Sequence, residues 1–273
     1  MPELPEVERA ATMLRAAVVG RTILQVRTLH PAIARSLTPR ARKKLLGRRV
    51  ERVERRAKHQ LIYLDDGRVI EVHFKMTGDW SIGRADDAPP KLERARLVFD
   101  DGTRVSLIDG RAFAVVRVHE AGQLKLPPLG PEPTDDAFNA LYLQNALSKR
   151  KVAIKQTLLD QKVVAGLGNI YTSEALWEAK ISPTAVASSL TKAKSERLVK
   201  AIRLVLERAP AERYFDRDGK SQAGDTALSG MRDDMWRVYG REGETCPRCR
   251  KARIKRITQG SRSTFFCPNC QRS

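Results

Sequence analysis

The segment 246–270 reads CPRCRKARIKRITQGSRSTFFCPNC and holds all four cysteines of the chain. Cys246 and Cys249 form one C-x2-C pair, and Cys267 and Cys270 form another after seventeen intervening residues. Two such pairs at this separation are typical of a zinc ribbon, in which each pair supplies two thiolates to one tetrahedral ion. Because four thiolates leave no position open for water, the spacing predicts one structural Zn2+.

The charge of the chain points to a polyanionic partner. Its 273 residues include 51 Lys and Arg against 32 Asp and Glu, a formal net charge of +19. Such an excess favours nucleic acid or an anionic membrane surface. From Cys246 to the C-terminus there are eight basic residues and no acidic one, which indicates either phosphate contact or a solvated basic face. The run Arg40–Lys58 is also basic, but charged strand edges have the same composition.

Neither a membrane span nor a secretory signal is indicated by the sequence. No apolar run approaches the ~20 residues that cross a bilayer. The acidic N-terminus lacks the basic and apolar segments of a signal peptide. We therefore expect a cytoplasmic protein of bacterial type that binds nucleic acid.

The N-terminal part of the chain predicts one helix followed by a two-layer β-sandwich. Residues 3–19 have apolar residues at helical spacing, with Pro5 in the first turn and Gly20 as a stop. The stretches QLIYLDDGRVIEVHF and ARLVFDDGTRVSLI each place Asp-Asp-Gly between apolar runs, which is a hairpin signal. We expect residues 1–125 to form this domain.

The remainder of the chain predicts a linker, a helical domain and the zinc ribbon. Residues 126–134 are rich in proline, and the pattern is helical from Asp135 to about Arg208. Residues 209–235 are polar and lack a period, so we expect a mobile loop that completes the domain 135–235. The zinc finger then occupies 236–273. The predicted fold class is α+β with several domains.

The segment AGLGNIYTSEALWEAKI contains a Gly-x-Gly-Asn turn ahead of a predicted helix. Such a turn can expose backbone N–H groups at a helix N-terminus, where they would bind phosphate. An ordinary packing joint between two helices has the same sequence pattern. The motif alone leaves both interpretations open.

The opening residues MPELPEVERA combine a proline with carboxylates. Removal of Met1 would give Pro2 a secondary amine, which can attack an electrophilic carbon and form an iminium. An α-amino group titrates near ~8, so a useful fraction is unprotonated at neutral pH. Glu3 is adjacent, and Glu6 lies one helical turn further along. The same carboxylates would also complement the dipole of the helix.

Five dispersed motifs resemble bacterial formamidopyrimidine-DNA glycosylases and occur in that family's order. They are PELPEVE at 2–8, RRAKHQLIYL at 55–64, HFKMTG at 73–78, AGLGNIYTSEAL at 165–176 and RSTFFCPNCQ at 262–271. The resemblance implies an N-terminal helix with a two-layered β-sandwich, a helix–two-turn–helix domain and a C-terminal zinc-ribbon finger.

The resemblance also implies an enzyme of base-excision repair, a DNA-formamidopyrimidine glycosylase with abasic-site lyase activity. It would remove 8-oxoguanine and formamidopyrimidines from duplex DNA through a Schiff base on Pro2, and then nick the strand by β,δ-elimination. The implied chemical residues are Pro2 as nucleophile, Glu3 and Lys58 as proton donors, Arg262 in δ-elimination and Glu6 as support. The implied partner is damaged double-stranded DNA, bound by a monomer associated with the nucleoid.

Further residues match positions that contact DNA in the family. His73, Lys155 and Asn169 match contacts to phosphate or the lesion, and Lys151 is a further candidate for phosphate. Met76, Arg111 and Phe113 match the wedge that fills the space vacated by a flipped base. The chain reads DGRAFA at 109–114 where the family usually has DPRRFG, and Lys75 stands where a small residue is common.

Three other interpretations remain open at this stage. An endonuclease VIII-like glycosylase would prefer oxidised pyrimidines, although Leu4 replaces the glycine typical of that group. A non-enzymatic zinc-ribbon protein that binds damaged DNA would need no proline amine. A basic protein of the membrane surface would leave the cysteine pairs and the wedge unexplained.

Overall fold

The computed structural model describes residues 1–209 and 236–272. The predicted loop therefore lies outside the described residues, except for Ala209. Two compact units are present, the first running from Met1 to Leu126 and the second beginning at Pro127. No helix in the described ranges combines the length and the apolar character that a bilayer crossing requires.

The first unit contains three helices and eight strands. The helices are α1 (Leu4–Val18), α2 (Pro31–Ser36) and α3 (Pro39–Leu45). The strands are β1 (Ile23–Thr28), β2 (Val50–Arg56), β3 (His59–Leu64), β4 (Val69–His73), β5 (Gly78–Arg84), β6 (Glu93–Phe99), β7 (Thr103–Asp109) and β8 (Val115–His119).

The strands form two antiparallel four-stranded sheets, in the orders β1-β6-β7-β5 and β2-β3-β4-β8. Their inner faces share one apolar core with α1, so the predicted sandwich is confirmed. Both Asp-Asp-Gly hairpins are present, β3 to β4 and β6 to β7. Gly67 and Gly102 each have φ +79° at these turns, a conformation that glycine adopts without strain.

Helix α1 begins one residue after its N-cap Glu3, whose N–H donates to Glu6 Oε2 at 2.8 Å. This bond satisfies one of the donors that a helix start leaves open. The apolar face predicted from the sequence is buried against the sheets, because its residues recur every three to four positions. Gly20 follows with φ +82°, as its stop signal predicted.

Among its described residues, the second unit contains four α-helices and a two-stranded hairpin. The helices are α4 (Ala140–Leu147), α5 (Ile154–Leu159), α6 (Asn169–Glu178) and α7 (Lys192–Glu207), and the strands are β9 (Lys255–Gln259) and β10 (Arg262–Phe266). The helices share an apolar core. The helical class predicted for 135–208 is correct, although turns divide the run into short helices.

Two successive turns join α5 to α6, as the helix–two-turn–helix prediction requires. The first closes where the N–H of Val163 donates to the carbonyl of Asp160 at 2.8 Å. The second bends at Gly166, which has φ +86°. Asn169 then begins α6 directly after Gly168. The hairpin β9–β10 turns over Gly260 and Ser261, both with positive φ, the usual form of a two-residue hairpin turn.

Candidate active site and zinc centre

The start of α1 gathers carboxylates and a cation in a buried cluster. Glu3, Glu6 and Lys58 have only 1%, 7% and 6% of their surface exposed. Lys58 lies in the two-residue connection between β2 and β3, where Ala57 has φ +53°. Ionisable groups are rarely buried unless they are paired or serve chemistry. The cluster therefore makes the N-terminus a candidate site, in addition to the capping box that Glu3 and Glu6 form at the start of α1.

The electrostatic surroundings of the N-terminal amine favour a nucleophile. Burial lowers the pKa of the Met1 amine below its ordinary 8.0, and the charges of Lys58 and Arg111 act in the same direction. Glu3 and Glu6 oppose this shift. An amine with a lowered pKa is more often unprotonated at neutral pH and so can attack carbon. The charges of Glu3, Glu6, Lys58 and Arg111 therefore all act on the Met1 amine. All of these residues belong to the first unit.

His73, the last residue of β4, is held as a neutral hydrogen-bond donor. Its Nδ1 accepts the N–H of Lys75 at 2.9 Å, so the proton of the neutral ring lies on Nε2. Burial, with the charges of Lys75 and nearby Lys58, lowers the pKa of His73 to about 3. At neutral pH the ring can therefore donate one hydrogen bond through Nε2 without carrying a charge.

The three predicted wedge residues occupy two neighbouring loops of the first unit. Met76 is 37% exposed in the β4–β5 turn, and Phe113 is 50% exposed between β7 and β8. The Arg111 guanidinium stacks over the Phe113 ring at 4.7 Å from its centroid. The exposure of these side chains is what insertion into a base stack requires.

Asp109 ties these two loops together, and the sequence reasoning did not single it out. Its side chain is 1% exposed and accepts from the N–H groups of Arg111 and Ala114 at 3.1 and 2.8 Å. It also bonds the hydroxyl of Thr77 in the Met76 turn. That hydroxyl in turn accepts from the Arg111 N–H at 3.2 Å. The signal available beforehand was an Asp-Gly pair at a strand end, a common start of a side-chain-capped turn.

Two residues that differ from the family pattern lie at positions where the backbone has a positive φ. Lys75 has φ +56° and Ala112 has φ +53°, a region that favours glycine. Bonds to Asp109 and Thr77 hold the second loop in place despite this cost. Both loops are therefore formed although the residues at these positions differ from the family pattern.

In the second unit Arg262 and Lys151 are exposed, as phosphate contacts must be, but Lys155 is not. Lys155 has 0% exposure. Its Nζ donates to the carbonyl of Ser263 at 2.9 Å and to Oγ1 of Thr264 at 2.6 Å. Two hydrogen bonds from one buried cation fix the start of β10, directly after Arg262. The structure thus gives Lys155 internal partners on the hairpin.

Asn169 contacts the same carbonyl of Ser263, with its Nδ2 at 3.0 Å. Its Oδ1 is buried and accepts no hydrogen bond within the described part of the chain. Residues 163–168 are buried, and the Gly166 N–H donates to Gln161 Oε1 at 3.0 Å. Of the two interpretations left open for this turn, its burial and the bond of the Gly166 N–H favour a packed joint between the helices.

The four cysteines are arranged to hold one metal ion. Their Sγ atoms all lie within 4.8 Å of one another. The Cys246–Cys270 and Cys249–Cys267 sulfur pairs are separated by 3.9 and 3.8 Å. A tetrahedral ion with bonds of about 2.3 Å requires sulfur separations of about 3.8 Å. The donor set therefore fits Zn2+, and it would leave no coordination position for a substrate.

The zinc finger is anchored to α6 by a residue that sequence reasoning missed. Glu174 is 3% exposed and accepts three successive backbone N–H groups, from Arg237, Val238 and Tyr239, at 2.8–2.9 Å. Burial raises the pKa of Glu174, and these N–H groups oppose the shift. Trp177, also on α6, packs with Cys246 and Cys267 in a small apolar cluster. No local sequence pattern predicts the contact between Glu174 and residues 237–239, because more than sixty positions separate them.

Three family models match the chain in succession. The formamidopyrimidine-DNA glycosylase N-terminal domain matches residues 1–116, and the H2TH domain of the same proteins matches 129–214. A zinc finger found in FPG and IleRS matches 243–272. Together the three matches follow the order of sandwich, helices and ribbon.

Named relatives match over the whole length. The formamidopyrimidine-DNA glycosylase of Laribacter hongkongensis is 38% identical over 284 residues, and that of Gluconobacter oxydans is 40% identical over 279, with all of both chains covered in each case.

Solved structures agree in fold as well as in sequence. A MutM protein in complex with carbocyclic 8-oxo-G containing DNA has a TM-score of 0.87 at 30% identity, covering all of both chains. The Lactococcus lactis enzyme bound to DNA containing an AP site has a TM-score of 0.86 at 30% identity, covering 99% of this chain and all of that one. The chain belongs to the formamidopyrimidine-DNA glycosylase family.

Proposed function

We propose that this protein is a bifunctional DNA glycosylase and abasic-site lyase that removes oxidised purines from duplex DNA. The observation that carries the proposal is the buried cluster of Glu3, Glu6 and Lys58 beside Pro2, where burial also lowers the pKa of the Met1 amine. A glycosylase that also cuts the strand needs an amine nucleophile and proton donors beside it. Membership of the family and the damaged DNA bound by its solved members support the substrate class.

Base removal follows from attack by Pro2 on C1′ of the damaged nucleotide. The secondary amine forms a bond to C1′ as the glycosidic bond breaks, and loss of a proton together with opening of the sugar gives the iminium. We assign the proton transfer that opens the sugar to Glu3. Glu6 holds the Glu3 N–H at 2.8 Å, so we assign it the support of this geometry.

Strand cleavage requires elimination from the iminium. We propose Lys58 as the proton donor in β-elimination, since its charge acts on the Met1 amine, which is directly adjacent to Pro2 in the chain. We propose that Arg262 binds phosphate and serves the δ-elimination. Its exposed position at the start of β10 suits contact with a polyanion.

Recognition of the lesion is assigned to a separate group of residues. We propose that Met76, Arg111 and Phe113 fill the space left by the flipped nucleotide. His73 and Lys151 would contact phosphate. Lys155 and Asn169 would act through the hairpin that they hold. The finger would hold one Zn2+ through Cys246, Cys249, Cys267 and Cys270.

Covalent trapping tests the nucleophile. Borohydride should cross-link the protein to an abasic duplex through Pro2, because reduction of the iminium makes the bond permanent. A residue added before Pro2 should abolish both trapping and cutting, whereas the same extension at the C-terminus should not. Normal cutting by the N-terminally extended protein would show that another group is the nucleophile.

A substrate panel tests the reaction and its rivals. Duplexes carrying 8-oxoguanine, a formamidopyrimidine, an oxidised pyrimidine or an abasic site should be compared under single-turnover conditions. Glu3→Gln should slow base removal far more than cleavage of a preformed abasic site. A clear preference for oxidised pyrimidines would favour an endonuclease VIII-like activity, and binding without turnover would favour a non-enzymatic role. We also propose that the protein acts as a monomer in the cytoplasm. Its DNA substrate would associate it with the nucleoid.

A further inference from the structure

A group of buried ionisable residues lies on the outer face of the second sheet, next to His73. Glu71 is 3% exposed in β4 and lies on the same side of the strand as His73. His59 on β3 is 7% exposed and is paired directly with His73 across the strands. His119 closes the group from β8. The mechanism proposed above uses none of Glu71, His59 and His119.

Both oxygens of the Glu71 carboxylate are occupied by imidazoles. His59 Nδ1 lies 2.7 Å from Oε1, and His119 Nε2 lies 2.8 Å from Oε2. Burial would raise the pKa of Glu71, but the hydrogen bonds from the two histidines lower it to about 2. The carboxylate is therefore ionised at neutral pH, and each ring must direct an N–H toward it. The orientation and the tautomer of both histidines are thereby fixed.

The orientation of His59 is passed on to His73 by direct ring contact. The two ring centroids are 4.8 Å apart, and the ring planes are at 88° to each other. On its other side His73 accepts the N–H of Lys75. Its ring is thus held between a backbone donor and an aromatic neighbour that cannot rotate without breaking its bond to Glu71.

We infer that Glu71 and His59, supported by His119, are positioning residues that aim the Nε2–H of His73 at a DNA phosphate. This inference rests on the proposed function, because it assigns a purpose to the orientation of a DNA-contacting side chain. The strength of a hydrogen bond from one neutral N–H to a phosphate depends on where the N–H points. The attraction between a phosphate and a flexible cation depends on direction much less. A rigid support behind the ring is therefore expected to raise affinity without itself touching DNA.

The alternative is that the cluster only joins strands β3, β4 and β8. The two roles differ in what happens when His73 is absent. If Glu71 and His59 act through His73, their removal should cost nothing more once His73 is already alanine. If they act only on the stability of the sheet, their effect on DNA binding should be the same with and without His73.

The binding test uses a duplex with a tetrahydrofuran abasic analogue, which is bound but not cut. Glu71→Gln keeps the shape of the side chain and removes its charge, and His59→Phe keeps a ring against His73. Each should weaken binding roughly three- to tenfold, the effect of a misdirected hydrogen bond. Each should have no further effect in a His73→Ala background. Arg117→Lys is the matched control, because Arg117 lies 3.7 Å from Glu71 at the exposed edge and its charge is kept.

A second readout does not require DNA. Nitrogen-15 NMR of the free protein should show His73 as one neutral tautomer with the proton on Nε2, and the same in Arg117→Lys. Glu71→Gln and His59→Phe should shift or broaden this signal. If either variant unfolds, the double variant His59→Phe with Glu71→Leu replaces the buried charge by apolar side chains and should show the same loss of affinity.

Two results would overturn the inference. One is full additivity of the losses with His73→Ala, and the other is unchanged affinity together with an unchanged His73 signal. Failure of the unaltered protein to bind any damaged duplex would refute the proposed function instead. In that case the NMR comparison would still decide whether the cluster positions the ring.

Discussion

Replacing His73 with alanine separates two ways in which a side chain can bind a phosphate. With a pKa of about 3, only about one ring in 10,000 is protonated at pH 7. A nearby phosphate would have to raise this pKa by about four units to charge the ring, at a cost of about 5.4 kcal/mol. That exceeds the roughly 4 kcal/mol of a close charge pair near a protein surface. We therefore expect His73 to stay neutral on DNA.

The expected result is a loss of affinity without a change in salt dependence. A hydrogen bond to a charged acceptor contributes about 1.5–3 kcal/mol, so His73→Ala should weaken binding about 10- to 150-fold. The slope of log K against log salt, measured by fluorescence anisotropy between about 50 and 200 mM salt, should not change. Arg262→Ala should lower that slope by about 0.9, one released counterion. An equal fall in slope for His73→Ala would show that the ring binds as a cation.

Four further changes test other parts of the molecule. Met76→Ala should reduce excision of a paired lesion more than cleavage of an abasic site, because only the paired base has to be unstacked; equal losses would assign Met76 to general binding. Cys249→Ser should lower the zinc content below one per chain and weaken DNA binding while the sandwich stays folded, as metal analysis and circular dichroism would report. Lys155→Met should destabilise the second unit by about 1.5–3 kcal/mol in urea unfolding and weaken DNA binding, and unchanged affinity would exclude a role in placing the hairpin. The pKa of Glu71 is about 2 in the folded protein, below its unfolded value of 4.5, so the ionised carboxylate stabilises the fold above pH 4.5 and this stabilisation is lost as the pH falls toward 2. In Glu71→Gln the free energy of unfolding should therefore fall by about 3 kcal/mol less over that pH interval than in the unaltered protein. An unchanged acid unfolding transition would contradict this.

Local sequence patterns predicted the elements of the fold well. The Asp-Asp-Gly pairs carry their own turn chemistry, and the spacing of the cysteine pairs carries the geometry of the metal site. Helix α1 could be placed because its apolar period, Pro5 and Gly20 all agree. Each of these signals lies within one short segment of the chain.

Contacts between segments that are far apart in the chain could not be predicted from local sequence patterns. The partners of Lys155 lie more than a hundred positions away, and those of Glu174 more than sixty. A lysine in a basic chain is expected to face solvent, so nothing in the sequence indicated that Lys155 holds the hairpin. The group around Glu71 depends on the register of three strands, which the hydrophobic pattern alone does not specify.

The carboxylate of Asp109 has an evolutionary consequence for the loop that it caps. Its bonds go to the backbone N–H groups of Arg111 and Ala114 and to the Thr77 hydroxyl, so they do not depend on which side chains stand at positions 110, 112 and 114. The shape of this loop therefore depends mainly on Asp109, and the intervening residues can change without removing these bonds. This is consistent with a DGRAFA segment in place of DPRRFG that still holds Arg111 stacked over Phe113. A related chain that lost Asp109 would be expected to lose both halves of the wedge together.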